Sequence, residues 1–215
     1  MVSFCILYYR DKMYFENRSP LFIQLGYRAE ALPALRSYLD LLRSANEELN
    51  LISRKMTYEE LIDNHVIDCL LPLNQFPKDL KVVADFGSGG GLPAIIYALQ
   101  FPQIIFHLFE KSPKKQEFLN LCKTLAPNLE VHGEIPKDLK GVNLVMARAF
   151  KPLEVILEVS RDYYKQGGKY FLLKGRREKI DEELLAAEKK FKNIQATIVA
   201  LKSPVLEVER HLVLL

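Results

Sequence analysis

The residues best suited to chemistry stand together in Asp85-Phe-Gly-Ser-Gly-Gly-Gly-Leu-Pro93, directly after the apolar run Val82-Val83-Ala84. A strand that runs into a glycine turn and then a helix brings backbone N–H groups close to a ligand, because glycine puts no side chain in the way. Pro93 suits a first helical turn, where its missing N–H goes unused. As a dinucleotide cradle the turn reads poorly. Counted from Gly87, Leu92 falls where a closing Gly or Ala is wanted; counted from Gly89, the run to Ala94 fits only loosely. An acid just before the first glycine would repel a pyrophosphate but suits a cationic, amino-acid-bearing ligand, which points to S-adenosylmethionine. A nicotinamide-dependent oxidoreductase is the competing reading. Asp85, Gly87, Ser88, Gly89, Gly91, Leu92 and Pro93 are the candidate cofactor contacts, the acid and glycines framing the methionine end.

Two more acids follow at intervals that suit the same ligand. Glu110 ends the apolar run Ile104–Phe109, where a carboxylate can accept ribose hydroxyls; the plainer alternative is an ion pair with Lys111 or Lys114. Glu134 follows the short run Leu129–His132 and is expected near the adenine edge. No Ser-His-Asp, Cys-His or paired-carboxylate constellation is evident, and no metal-binding cluster. Arg148, at the end of the apolar run Val142–Met146, could grip a phosphate or a base edge, or hold its loop by an ion pair. Phe150 could stack a base or belong to the core. Lys174, Arg176, Arg177 and Lys179 form the densest basic segment and are read as contacts to an RNA backbone. His65 and Asp68 are one helical turn apart and are expected to buttress the pocket. His107 is read as structural, and Arg210-His211 as closing the sheet or supporting the site.

These residues need strands and helices in alternation to hold them. Leu32, Leu35, Leu39, Leu42 and Leu49 recur at helical steps, and Thr57 with Glu60 offers a capping box for a second helix reaching Pro72. Residues 27–78 are therefore read as a helical extension and 79–215 as the catalytic domain. Within the latter, helices over Pro93–Gln100, Pro113–Leu125, Pro152–Gln166 and Ile180–Phe191 alternate with strands Lys169–Leu173, Thr197–Leu201 and Glu209–Leu215 as well as the runs above. That order implies an α/β fold of Rossmann-like type with a mainly parallel sheet. Residues 1–26 show no clean period and are read as an irregular lead.

Composition narrows the class. The 215 residues are 49% hydrophobic and 27% charged, which fits a globular chain. Net charge is only +3, but residues 1–80 hold nine Lys/Arg against eleven Asp/Glu, while 81–215 hold twenty-one against sixteen. A basic face therefore belongs to the later part. Cys5, Cys69 and Cys122 show no paired spacing, which favours a reducing cytoplasm over a disulfide framework. No apolar stretch approaches the roughly 20 residues of a membrane span, and Val2–Tyr9 lacks the basic lead of a signal peptide.

Asn50-Leu-Ile-Ser53, Asn64-His65-Val-Ile-Asp68-Cys, the glycine turn, Ala147-Arg148-Ala-Phe150, Leu173-Lys174-Gly175 and Glu209-Arg210-His211-Leu-Val occur in the order of the glucose-inhibited division protein B family, which this chain resembles from about residue 30 onward. The resemblance implies a bacterial methyltransferase using S-adenosylmethionine on a guanine N7 of 16S ribosomal RNA, acting on that RNA or the small ribosomal subunit. Separately from the resemblance, which leaves the oligomeric state open, a monomer is expected. The chain departs from the family at three places: no Arg precedes Glu134, Asn143 replaces an aspartate, and no Trp is present. Those departures keep open a module of the same fold that binds RNA or assists ribosome assembly without turnover.

Overall fold

The computed structural model describes residues 2–215, with side chains from residue 9 onward; Met1, and the side chains of the apolar opening including Cys5, lie outside the described residues. Five strands form the parallel heart of a seven-stranded sheet: β1 (Val82–Phe86), β2 (Ile105–Phe109), β3 (Leu129–His132), β4 (Leu144–Arg148) and β5 (Tyr170–Lys174). An antiparallel hairpin, β6 (Thr197–Lys202) and β7 (Glu209–Leu214), completes it in the order β3-β2-β1-β4-β5-β7-β6. β1, β4 and β5 are buried almost end to end, which is why they read as unbroken apolar runs rather than alternating ones. Strand order reverses between β1 and β4, and ligand clefts form outside the carboxyl ends at such a reversal.

Helices cover both faces. On one lie α1 (Val2–Gln24), α2 (Leu32–Leu49), α5 (Ala94–Gln100) and α6 (Pro113–Leu121); between α2 and β1 runs a helical stretch of α3 (Tyr58–Leu61), a π-helical turn (Ile62–Val66) and α4 (Ile67–Leu70). On the other lie α7 (Leu153–Val159), α8 (Arg161–Lys165) and α9 (Arg177–Glu188). Thr57 and Glu60 form the expected capping box, each side chain bonded to the other's backbone N–H at 3.1 and 2.8 Å. Asn50 ends α2 in the left-handed region at φ 52°, a conformation asparagine tolerates.

Two expectations need correction. The lead read as irregular is helical over Val2–Gln24, with Pro20 inside it. Tertiary contacts hold it: Phe15 and Phe22 are buried, and Arg18 and Tyr14 converge on Asp63 at 2.7–2.9 Å. The helix expected over Pro152–Gln166 is broken at Ser160, where φ is −119°. There the fully buried Ser160 hydroxyl bonds Ile156 O at 2.7 Å and meets the Tyr170 hydroxyl at 2.8 Å.

Candidate functional site

A cavity of ≈ 570 Å³ opens at the carboxyl ends of β1, β2 and β4. Its floor is the glycine turn. Gly87 and Gly89 sit at φ 70° and 54°, and the N–H groups of Gly87 and Ser88 both donate to Phe109 O, tying the turn to the end of β2 at 2.9 and 3.1 Å. Glu110 then crosses back: one carboxylate oxygen accepts from Gly89 N and the other from Ser112 N, each at 2.9 Å. Both oxygens keep a further lone pair for ligand hydroxyls. From the helical extension, Leu51, Ile52 and Met56 supply an apolar wall, and the Tyr38 hydroxyl donates to Gly90 O at 2.6 Å from a fully buried position.

Of the predicted cofactor contacts, Gly87, Ser88, Gly89, Leu92 and Glu110 line this cavity, together with His65 and Arg148. Four do not. Asp85 lies behind the wall, 1% exposed, with Oδ2 unpaired. Burial, with a smaller push from Glu110 and opposed by Ser88, raises its pKa to about 7. Gly91 and Pro93 turn away, Gly91 because it packs on Ile95 and Leu119. Glu134 is exposed: past the end of β3, Gly133 and Ile135 take the two lining positions and Glu134 between them points outward. Glu110 meets backbone amides rather than Lys111 or Lys114.

Arg148 is held rather than free. Its Nε donates to Asp68 Oδ2 at 2.9 Å and its Nη2 to His65 Nδ1 at 2.6 Å. Asp68 uses its other oxygen to accept from Arg210 Nε at 2.6 Å, so one carboxylate joins α4, β4 and β7. Because arginine only donates, His65 Nδ1 must accept and its ring stays neutral. Burial first, then the Arg148 charge, lowers the His65 pKa to about 4. A second cavity of ≈ 390 Å³ shares Arg148, Ala149 and Phe150 with the first and adds Lys151, Gly175 and Arg210.

The basic segment is more engaged than expected. Lys174 lines the second cavity but is already paired there: its ammonium bonds Glu183 at 2.7 Å and Lys151 O at 3.1 Å, with both side chains about 15% exposed or less. Glu183 also accepts from Leu153 N at the start of α7. Arg177 and Lys179 pair with Asp181 and Glu182 along α9 in exposed positions, and Arg176 is exposed beside them. Sequence reasoning missed Tyr38, Met56, Lys115 and Ile135. Leu51, Ile52 and Phe109 lay inside motifs or runs already singled out, which was the available signal.

A family model described as rRNA small subunit methyltransferase G matches residues 31–213. The chain belongs to this family, GidB. A curated relative, the ribosomal RNA small subunit methyltransferase G 1 of Bdellovibrio bacteriovorus, is 69% identical over 202 residues, covering 94% of this chain and 98% of that one. The ribosomal RNA small subunit methyltransferase G of Brachyspira hyodysenteriae is 34% identical, covering 84% and 88%. Among solved structures, cofactor-bound Rv0187 from MTB aligns with TM-score 0.54 at 19% identity, covering 85% of this chain and 89% of that one. The N-terminal domain of human METTL16 in complex with SAH aligns with TM-score 0.53 at 13% identity, covering 95% and 93%. The fold of this GidB-family chain is thus the Rossmann-like one of S-adenosylmethionine-dependent methyltransferases, and the nicotinamide reading falls. Among the described residues no helix is long and apolar enough to cross a membrane.

The glycine turn yields a graded prediction. A Cβ on Gly87 would stand 2.2 Å from the Phe150 ring, whereas one on Gly89 meets nothing nearer than Gly87 O at 3.8 Å. Both replacements carry the strain of a positive φ, roughly 1–2 kcal/mol. Gly87→Ala must also drive the Phe150 ring out of the wall between the two cavities. In urea denaturation Gly89→Ala should therefore lose about 1 kcal/mol and Gly87→Ala roughly 1–3 kcal/mol more; equal losses would refute the role of the ring.

Proposed function

We propose that this chain transfers a methyl group from S-adenosylmethionine to the N7 of a guanine in the 16S ribosomal RNA of the small ribosomal subunit, as a cytoplasmic monomer. The observation that carries the reading is the pair of joined cavities at the β1/β4 reversal, in a chain of this family. The first cavity fits the methyl donor. Its apolar wall of Leu51, Ile52 and Met56 suits an adenine, the Glu110 carboxylate suits ribose hydroxyls, and the space above Gly89 is open to a ligand. Glu110 already takes the Gly89 N–H that a pyrophosphate would need. When bound, the donor supplies a methyl group made electrophilic by a sulfonium.

The second cavity would take the base. Guanine N7 carries a lone pair and no proton, so its attack needs no general base, and the candidate groups agree with that. The His65 Nδ1 lone pair is occupied by the Arg148 N–H, and Asp85 is sealed behind the wall. What the chain must do is align and exclude water, which lowers the barrier by proximity. Phe150 offers a ring for stacking, and Arg148 and Arg210, fixed by Asp68, offer donors to the guanine O6 edge. Arg176, Arg177 and Lys179 would meet RNA phosphates: the ion pairs of Arg177 and Lys179 are exposed and therefore weak, so exchange of partner costs little.

Incubation with methyl-labelled S-adenosylmethionine and small subunits lacking the modification should place label on one guanine of 16S ribosomal RNA, at a site opened by N7-specific chain scission. Label on another nucleotide, on transfer RNA or on protein would overturn the assignment. Retained RNA binding without label on any substrate would favour the non-catalytic module instead.

A further inference from the structure

The edge pair β2–β3 carries a constellation that methyl transfer does not use. His107 on β2 stands directly across from Glu130 on β3, and His132 follows two residues on, so the strand period puts all three on one face. His107 Nδ1 and His132 Nε2 approach to 2.7 Å. Glu130 Oε2 lies 3.4 Å from the first and 4.0 Å from the second. The two rings lie edge to edge and 21° from parallel, centroids 4.9 Å apart, with the two nitrogens facing each other, and Phe109 stacks on His132 at 5.0 Å, which limits rotation of that ring. The side chains of His107, His132 and Glu130 are 25%, 37% and 52% exposed, so a hydrated ion can reach them. The sequence reading, which took His107 as structural and saw no metal-binding cluster, could not bring together residues from two strands.

We propose that His107, Glu130 and His132 form a binding site for a divalent late transition ion of the zinc type. Two imidazole nitrogens and one carboxylate oxygen are the donor set such borderline ions take, with water completing a tetrahedron. Magnesium and calcium, which prefer oxygen ligands, are poorly matched. The ion would take the place of the proton now shared by the two ring nitrogens. Ligands about 2.0–2.1 Å from a tetrahedral ion stand about 3.3 Å apart, so the rings need open by only about 0.6 Å. The site adjoins the cofactor cavity without belonging to it. His132 O accepts from Glu110 N at 3.0 Å, and Gly133 lines the cavity, so the ion would clamp the strand that holds Glu110. This inference stands whether or not the chain methylates a guanine.

The test uses the full chain, stripped with a chelator, titrated with zinc chloride by calorimetry and with cobalt(II) by visible absorption. One equivalent of zinc should bind, excess magnesium should not displace it, and cobalt should give a d–d spectrum without a thiolate charge-transfer band. Glu130→Gln, at an exposed position, should weaken zinc binding at least tenfold with the fold unchanged by circular dichroism. His107→Gln/His132→Gln should abolish it. Absence of zinc binding, a thiolate band, or binding that survives the double substitution would each overturn the site.

Discussion

Asp68→Ala should lower stability by about 3–5 kcal/mol, the loss typical of removing one partner from a buried ion pair. The carboxylate is 12% exposed and answers two guanidinium groups, Arg148 at 14% and Arg210 at 29% exposed. Its loss leaves both cations without their partner, and Arg148 without the contact that orients its Nε. Surface pairs in the same molecule, such as Arg177 with Asp181, are worth no more than about 1 kcal/mol each. Urea denaturation of Asp68→Ala and Asp181→Ala side by side therefore separates the two classes. A loss at position 68 as small as that at 181 would show that the network is not a buried hub.

The same substitution should act on chemistry beyond its effect on folding. Arg148 lines both cavities and is aimed by Asp68 and His65, so the site loses the fixed donors proposed to face the base. Methyl transfer by the folded fraction, assayed well below the melting temperature, should fall at least a hundredfold, as expected when alignment supplies most of the rate. Asp68→Asn keeps one acceptor oxygen and should retain more activity than alanine. Equal activity in wild type and Asp68→Ala at matched folded fraction would remove the positioning role.

Which parts of this arrangement were legible in the sequence follows from what each part depends on. β1, β4 and β5 announce themselves because a strand buried on both faces is apolar throughout, and the capping box at Thr57 is wholly local. The glycine turn was legible for the same reason, since positive φ at Gly87 and Gly89 is a property of the chain there. Asp85 stands out in the sequence as an acid in an apolar strand, but its direction does not. Strand alternation alone cannot say whether an acid at a strand's end faces a cleft or the packed side. α1 was missed because its stability comes from Asp63 and the core under Phe15 and Phe22, not from its own periodicity. The break at Ser160 depends on the Tyr170 hydroxyl, and the confinement of Lys174 on Glu183. The Asp68 bridge spans 80 residues to Arg148 and 142 to Arg210. The family motifs marked all three residues without showing that they touch. Asn143, which departs from the family, plays a local part that its sequence position does not reveal. Its side-chain oxygen accepts from Lys81 N and Val82 N at 2.9 Å each and fixes the start of β1.

Asp85→Asn should remove a pH dependence that the wild-type chain carries. The Asp85 carboxyl is sealed under the glycine turn with one oxygen unpaired, and burial lifts its pKa from 3.8 to about 7. In the unfolded chain it ionises near its ordinary value, so between these limits the unfolded state holds fewer protons than the folded one. Stability contributed by the protonated form is complete below about pH 4 and is lost as pH rises toward 7, in total about 4 kcal/mol at 1.36 kcal/mol per unit. His65 titrates in the opposite sense: its pKa is depressed to about 4, so its contribution is present above about 6.5 and lost as pH falls. The two slopes oppose each other in the wild type, and only the Asp85 slope disappears in Asp85→Asn. The difference between the two denaturation curves, measured from pH 4 to pH 8, therefore isolates the carboxyl. It should shift progressively in favour of the asparagine variant by about 4 kcal/mol across that range. A difference that stays flat with pH would mean that Asp85 is ionised in the folded chain at its ordinary pKa, and hence that the turn above it is open to water.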